Sequence, residues 1–173
     1  MYKSIFANAA AIIVVALLDA VFVRSLPFAL FHLHIFFLAI VFVLLFSNLR
    51  LAAWWTLGGA LVLEVFSFSF FGSYLIIAFF VLLVAHFLFE KVMTNRSVFS
   101  VMVVTASVTV LADLLFLALD FWSTRVIQGF GYLSVAFIES IVVNVIAAIV
   151  FFYVANTATR RLKPVFLPFI RKW

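Results

Sequence analysis

Apolar runs of roughly bilayer length follow one another through almost the whole chain, and this constrains the fold more than any motif. A membrane's hydrocarbon core needs about 20 apolar residues per helix, with a tolerated range of roughly 17–25. Cut at its polar punctuation, the chain gives six runs near that length, over residues 5–23, 28–46, 51–66, 73–89, 98–119 and 132–155. Arg24-Ser25-Leu26-Pro27 closes the first, Ser47-Asn48-Leu49-Arg50 the second and Ser67 to Gly72 the third. Glu90 to Ser97 is the most polar connection, and a loop with Asp120, Trp122, Arg125, Gly129 and Gly131 precedes the last run.

Composition agrees. Hydrophobic residues make up 69% of the chain and charged ones 10%, whereas soluble domains carry about 45–50% apolar and about 25% charged residues. A water-soluble shape of 173 residues could not hide that surface, so the solvent has to be lipid. The expected fold is all-α: one polytopic transmembrane domain of six helices, followed by a basic tail over residues 156–173. Lys3 and the run behind it imitate a signal peptide, but the run is long enough to span and further spans follow, so it reads as a retained helix.

Charge placement sets the expected orientation. With six spans and the N-terminus inside, the inner segments hold Lys3, Arg50, Lys91, Arg96, Arg160, Arg161, Lys163, Arg171 and Lys172, and the outer ones only Arg24 and Arg125. Cationic loops stay on the cytoplasmic side, so both termini are expected there. Fusing the second and third runs would put Lys91 and Arg96 opposite the tail, which weakens the bias. The tail cations Arg160, Arg161, Lys163, Arg171 and Lys172 alternate with Phe166, Phe169, Ile170 and Trp173. They are expected on anionic headgroups, with the aromatics at the acyl boundary. Nothing in the chain points to nucleic acid.

Four carboxylates fall inside the runs: Asp19, Glu64, Asp113 and Glu139. Charge at membrane depth is costly and marks functional positions by default. All four are expected in the outer half, as anchors for a partner helix or as polar walls of an outward cavity. Asp19, near Arg24, and Glu64 have a plainer reading, in which they reach up into the headgroup zone. Asp113 and Glu139 lie deeper and could share a proton or hydrogen bond, or pair with Asn144. His32 and His34 are two apart and point to different faces of a helix, which disfavours a metal pair. His86 reads as an interfacial or packing residue. Gly58-Gly59-Ala60 and the Ala7-xxx-Ala11 and Ala16-xxx-Ala20 pairs are small-residue faces that allow close helix approach.

The chain has no cysteine, which excludes disulfides and thiolate chemistry. It also lacks a phosphate-cradling loop, a nucleophile elbow and an HExxH motif. The expectation is a non-enzymatic protein with no cofactor and no metal.

Three stretches resemble MreD, the small integral membrane subunit of the bacterial rod-shape (elongation) complex. The first is Leu57-Gly58-Gly59-Ala60-Leu61-Val62-Leu63-Glu64-Val65-Phe66 with Ser67 and Phe71-Gly72. It is similar to that family's small-residue helix, acidic residue, short turn and Phe-Gly start of the next helix, with Glu64 where Asp is usual. The second is the basic loop around Lys91–Arg96. The third is the last helix, with Asn144 near its middle, closing on Arg160-Arg161-Leu162-Lys163. The Pro-Asp start of span 2 in that family is matched here only by Pro27. The resemblance implies a scaffold that works with MreC-like and MreB-like proteins and peptidoglycan synthases in the bacterial plasma membrane. Glu64 and Asn144 would then build helix packing or a partner surface.

Two other classes compete. MreD-like proteins are similar in fold to the substrate-binding S-components of energy-coupling-factor vitamin transporters. In such a protein the Ala7-xxx-Ala11 face would dock the energising subunit, and the outer carboxylates with His32 or His34 would line a vitamin pocket. A small ion-coupled transporter would use Asp113 and Glu139 across a hydrated path, but the sequence lacks the Gly/Pro-broken helix pair common at such sites.

Overall fold

A computed structural model describes residues 2–25, 32–66, 71–92, 97–124 and 130–170. Six α-helices appear among them: α1 (Tyr2–Leu17), α2 (Ile35–Phe46), α3 (Leu49–Phe66), α4 (Ser73–Phe87), α5 (Val98–Thr124) and α6 (Phe130–Ile170). No strand occurs among the described residues. A wider π turn, Leu18–Phe22, and a 3-10 turn, Val23–Ser25, extend α1, and a second π turn, Leu88–Val92, extends α4.

Short polar side chains set two of the helix starts. The Asn48 side chain accepts from the Leu51 N–H at 2.9 Å at the head of α3. Ser97 does the same for the Ser100 N–H at 3.2 Å at the head of α5. Each satisfies an N–H that has no partner within its own helix.

Four helical stretches are long and apolar enough to cross a membrane: Leu49–Phe66, Ser73–Val92, Val98–Trp122 and Val135–Thr157. Phe6–Phe22 and Ile35–Phe46 are apolar but shorter. The outward faces are themselves apolar. On α3 the exposed stripe is Trp54, Leu57, Leu61 and Val65, and on α6 it is Ile138, Val142, Ile146 and Val150. A helix that is apolar on every face belongs in a low-dielectric solvent, so this is a helical membrane protein.

α2 is the innermost element. It packs on α1, α3, α4 and α5, and Phe36, Ile40 and Val41 are almost wholly enclosed. Ala60, Ile77, Ala78, Val81, Val104 and Val108 surround it from α3, α4 and α5. Small and β-branched residues dominate this centre, which allows close helix approach. The Phe36 ring lies directly on Gly59, where an added Cβ would meet it. Gly58 is looser, with Ile12 of α1 at ordinary contact distance of 3.4 Å.

Three differences from the expected spans matter. The second span was expected over 28–46, but His32 to His34 are not α-helical and α2 begins only at Ile35; residues 28–31 lie outside the described residues. At 12 residues and 1.5 Å per residue, α2 is about 18 Å long, against a hydrocarbon thickness of about 30 Å. α5 continues past residue 119 to Thr124. α6 does not end near residue 155 but continues as helix to Ile170, so Arg160, Arg161 and Lys163 fall within it. Arg171 and Lys172 lie outside the described residues.

Candidate functional site

Because α2 starts part-way through the bundle, its first backbone groups need partners that lipid cannot supply. Side chains from two other helical elements supply them. Asn144, fully enclosed on α6, accepts the His34 N–H through Oδ1 at 2.9 Å. Its Nδ2 donates to the His32 carbonyl at 2.8 Å and to the Ser140 carbonyl at 2.8 Å. The Ser140 hydroxyl donates to the same His32 carbonyl at 3.5 Å. Asp19, carried by the π turn after α1, accepts the Phe36 N–H at 3.2 Å. A carboxylate at a helix N-terminus also meets the positive end of the helix dipole.

The His34 side chain adds a third connection. Its Nε2 lies 3.0 Å from Asp113 Oδ1 on α5. The imidazole sits among aromatic rings: Phe37 at 5.5 Å, tilted, and Phe116 at 6.1 Å, stacked. Tyr74 of α4 meets Phe116 edge-on at 5.2 Å. The other oxygen of Asp113, Oδ2, is buried and has no hydrogen-bond partner among the described residues.

Glu64 does the work of a cap at a separate place. It is only 5% exposed. Its Oε1 accepts the Gly72 N–H at 2.8 Å and its Oε2 the Tyr74 N–H at 3.0 Å, at the head of α4. Gly72 takes a left-handed conformation, with φ of 100°, which only glycine adopts freely. Thus the acidic residue near the end of α3 holds the Gly72–Tyr74 backbone at the head of α4.

These contacts revise several expectations. Asp19 and Glu64 both accept backbone N–H groups, Asp19 from Phe36 and Glu64 from Gly72 and Tyr74. Asp113 pairs with His34 instead of Glu139 or Asn144, and Asn144 binds the backbone before α2. Glu139 is partly buried on α6 beside Ser140 and is not joined to Asp113. His86 lies 3.5 Å from the exposed Glu90, one turn on. Gly58 and Gly59 sit in helix contacts as described. Among the described residues, no group of three or more His, Cys, Asp or Glu could hold a metal ion.

His34 as a partner of Asp113 was missed from sequence, because the two are 79 positions apart and neither spacing nor periodicity links them. The available signal was the presence of histidines in an apolar run. Comparison with protein-family models, with curated proteins and with solved structures finds no match for this chain.

Proposed function

We propose that this chain is a non-enzymatic, multi-pass scaffold of the bacterial cell-shape machinery, with an MreD-like role between wall synthesis and the cytoskeleton. On this reading it crosses the plasma membrane six times with both termini in the cytoplasm, α1 and α2 being the two shorter crossings. The observation that carries the reading is the Glu64 cap. In the stretch that most resembles MreD, Gly59 receives the Phe36 ring and Glu64 accepts the Gly72 and Tyr74 N–H groups at the head of α4. Asn144, the other residue the resemblance singles out, likewise builds helix packing. A protein that spends Asp19, Glu64 and Asn144 on fixing its own helices suits a rigid partner platform. MreC-like and MreB-like proteins and wall synthases are its proposed partners, with anionic lipid under the basic end of α6.

A second reading rests on the short α2. Helices that begin at membrane depth, with their N-termini facing polar groups, are a frequent way to build a solute site. That favours a substrate-binding membrane subunit such as an S-component.

Affinity purification from native membranes in mild detergent, with mass spectrometry of proteins and small molecules, separates the two. Wall-synthesis and cytoskeletal partners without a ligand support the scaffold. An ATPase module or a bound vitamin overturns it.

A further inference from the structure

The two buried side-chain oxygens without a hydrogen-bond partner among the described residues are Thr105 Oγ1 and Asp113 Oδ2. Both lie on α5. Residues 105, 109 and 113 are spaced by four and fall on one face of the helix, and Thr109 between them is buried as well. A polar seam about 12 Å long, at 1.5 Å per residue, therefore runs along α5 from the buried Thr105 to the His34–Asp113 pair, whose side chains are 23% and 15% exposed. Unpaired buried polar atoms are rare in folded proteins and call for a physical reason. Two on one seam, joined to an imidazole–carboxylate pair, call for a common one.

The depth of the pair narrows the chemistry. On the six-span reading proposed above, with the Ser47 turn at the inner boundary, His34 stands about 18 Å up along α2, within a hydrocarbon layer of about 30 Å. Measured along α5 from Val98, Asp113 is about 23 Å up. At such depth a histidine and an aspartate are expensive to keep, and simple helix-capping does not need them. Asp19 and Asn144 already hold the backbone of α2.

We infer that His34 and Asp113 form a proton-binding site inside the membrane, reached along the Thr105–Thr109 seam. The balance is simple. The 3.0 Å contact needs one proton between Nε2 and Oδ1. A second proton, taken from solvent, goes to imidazole Nδ1 or to carboxyl Oδ2, and no bond other than N–H or O–H forms or breaks. The pair then changes from net charge −1 to 0. The ionisable groups described on the surrounding helices are placed elsewhere. Asp19 on the turn after α1 faces Phe36, Glu64 on α3 faces the head of α4, and Tyr74 on α4 meets Phe116. Glu139 on α6 lies beside Ser140, and His32 offers its carbonyl to Asn144. Arg50 and Lys91 are exposed at the far ends of α3 and of the turn after α4.

The test uses the full chain in lipid nanodiscs, with protons as the ligand. Histidine ring-nitrogen NMR signals are followed from about pH 5 to pH 8, the interval in which imidazole charge ordinarily changes. The His34 signal is identified by its loss in H34Q. The expected result is a pH-dependent His34 signal in the wild type, lost or displaced in D113N and preserved in form in D113E. In parallel, the Asp113 carboxyl infrared band, identified with D113N, changes with pH in the wild type and not in H34Q. A His34 signal that keeps one state across the interval in the wild type overturns the inference, whether or not any variant folds. So does one whose pH dependence is identical in D113N. Neither result depends on which partners co-purify, so the scaffold reading stands or falls separately.

Discussion

The aromatic ring of Phe36 rests on the bare backbone of Gly59, with its Cζ 2.7 Å from the place where a β-carbon would stand. This contact lets the innermost helix approach α3 as closely as it does. It predicts an asymmetry between adjacent glycines. Gly59→Ala forces Phe36, which is 1% exposed, to move within a filled core, and overpacking of that kind costs about 1–3 kcal/mol. Gly58→Ala meets only Ile12, at 3.4 Å, and is expected to be near neutral. Thermal unfolding of the two variants in one detergent measures the difference.

Glu64 gives a graded series. Both of its oxygens accept backbone N–H groups. Glu64→Gln keeps one acceptor, and Glu64→Ala keeps none. Loss of a side chain that caps a helix costs about 0.5–2 kcal/mol, so the expected order of stability is wild type, then Gln, then Ala. Amide hydrogen exchange at Gly72 and Tyr74 should rise in the same order.

At Asn144, acceptor and donor roles can be separated. Asn144→Asp retains an oxygen for the His34 N–H but loses the donors to the His32 and Ser140 carbonyls. Asn144→Leu loses both roles. Interhelical hydrogen bonds in membranes contribute up to about 1–2 kcal/mol, and the Leu variant is expected to lose about that much. Exchange of the His34 amide, slow in the wild type, should be faster in Asn144→Leu than in Asn144→Asp.

His86 supplies a contrast. It faces Glu90 one turn away, on a side chain that is 59% exposed. Pairs of this kind on an open helix surface contribute about 0.3–0.5 kcal/mol. His86→Ala should therefore leave the melting temperature almost unchanged, whereas His34→Ala should lower it.

The helical membrane class was legible because hydropathy reports bulk partitioning, which needs no knowledge of partners. The start of α3, to within two residues, and the start of α4 were legible too, since Asn48 and Gly72 act within a few residues of the helix they bound. The start of α2 was not. Leu33, His34 and Ile35 read as one apolar stretch, and what ends the helix there is Asn144, 110 positions away from His34. Carboxylate roles divided the same way. Glu64 acts on residues eight and ten ahead, a local relation. Asp19 needed the π turn, and Asp113 needed the fold, before either partner could be seen.

The unfinished backbone ahead of α2 also bears on how the chain is made. Twelve apolar residues are a weak signal for insertion on their own, and the His32 carbonyl and the His34 N–H are both met by Asn144 on α6. A ribosome releases that helix after the other five. The second segment therefore lacks its Asn144 partner when it is made, and its final arrangement is expected only after α6 has joined the first five helices.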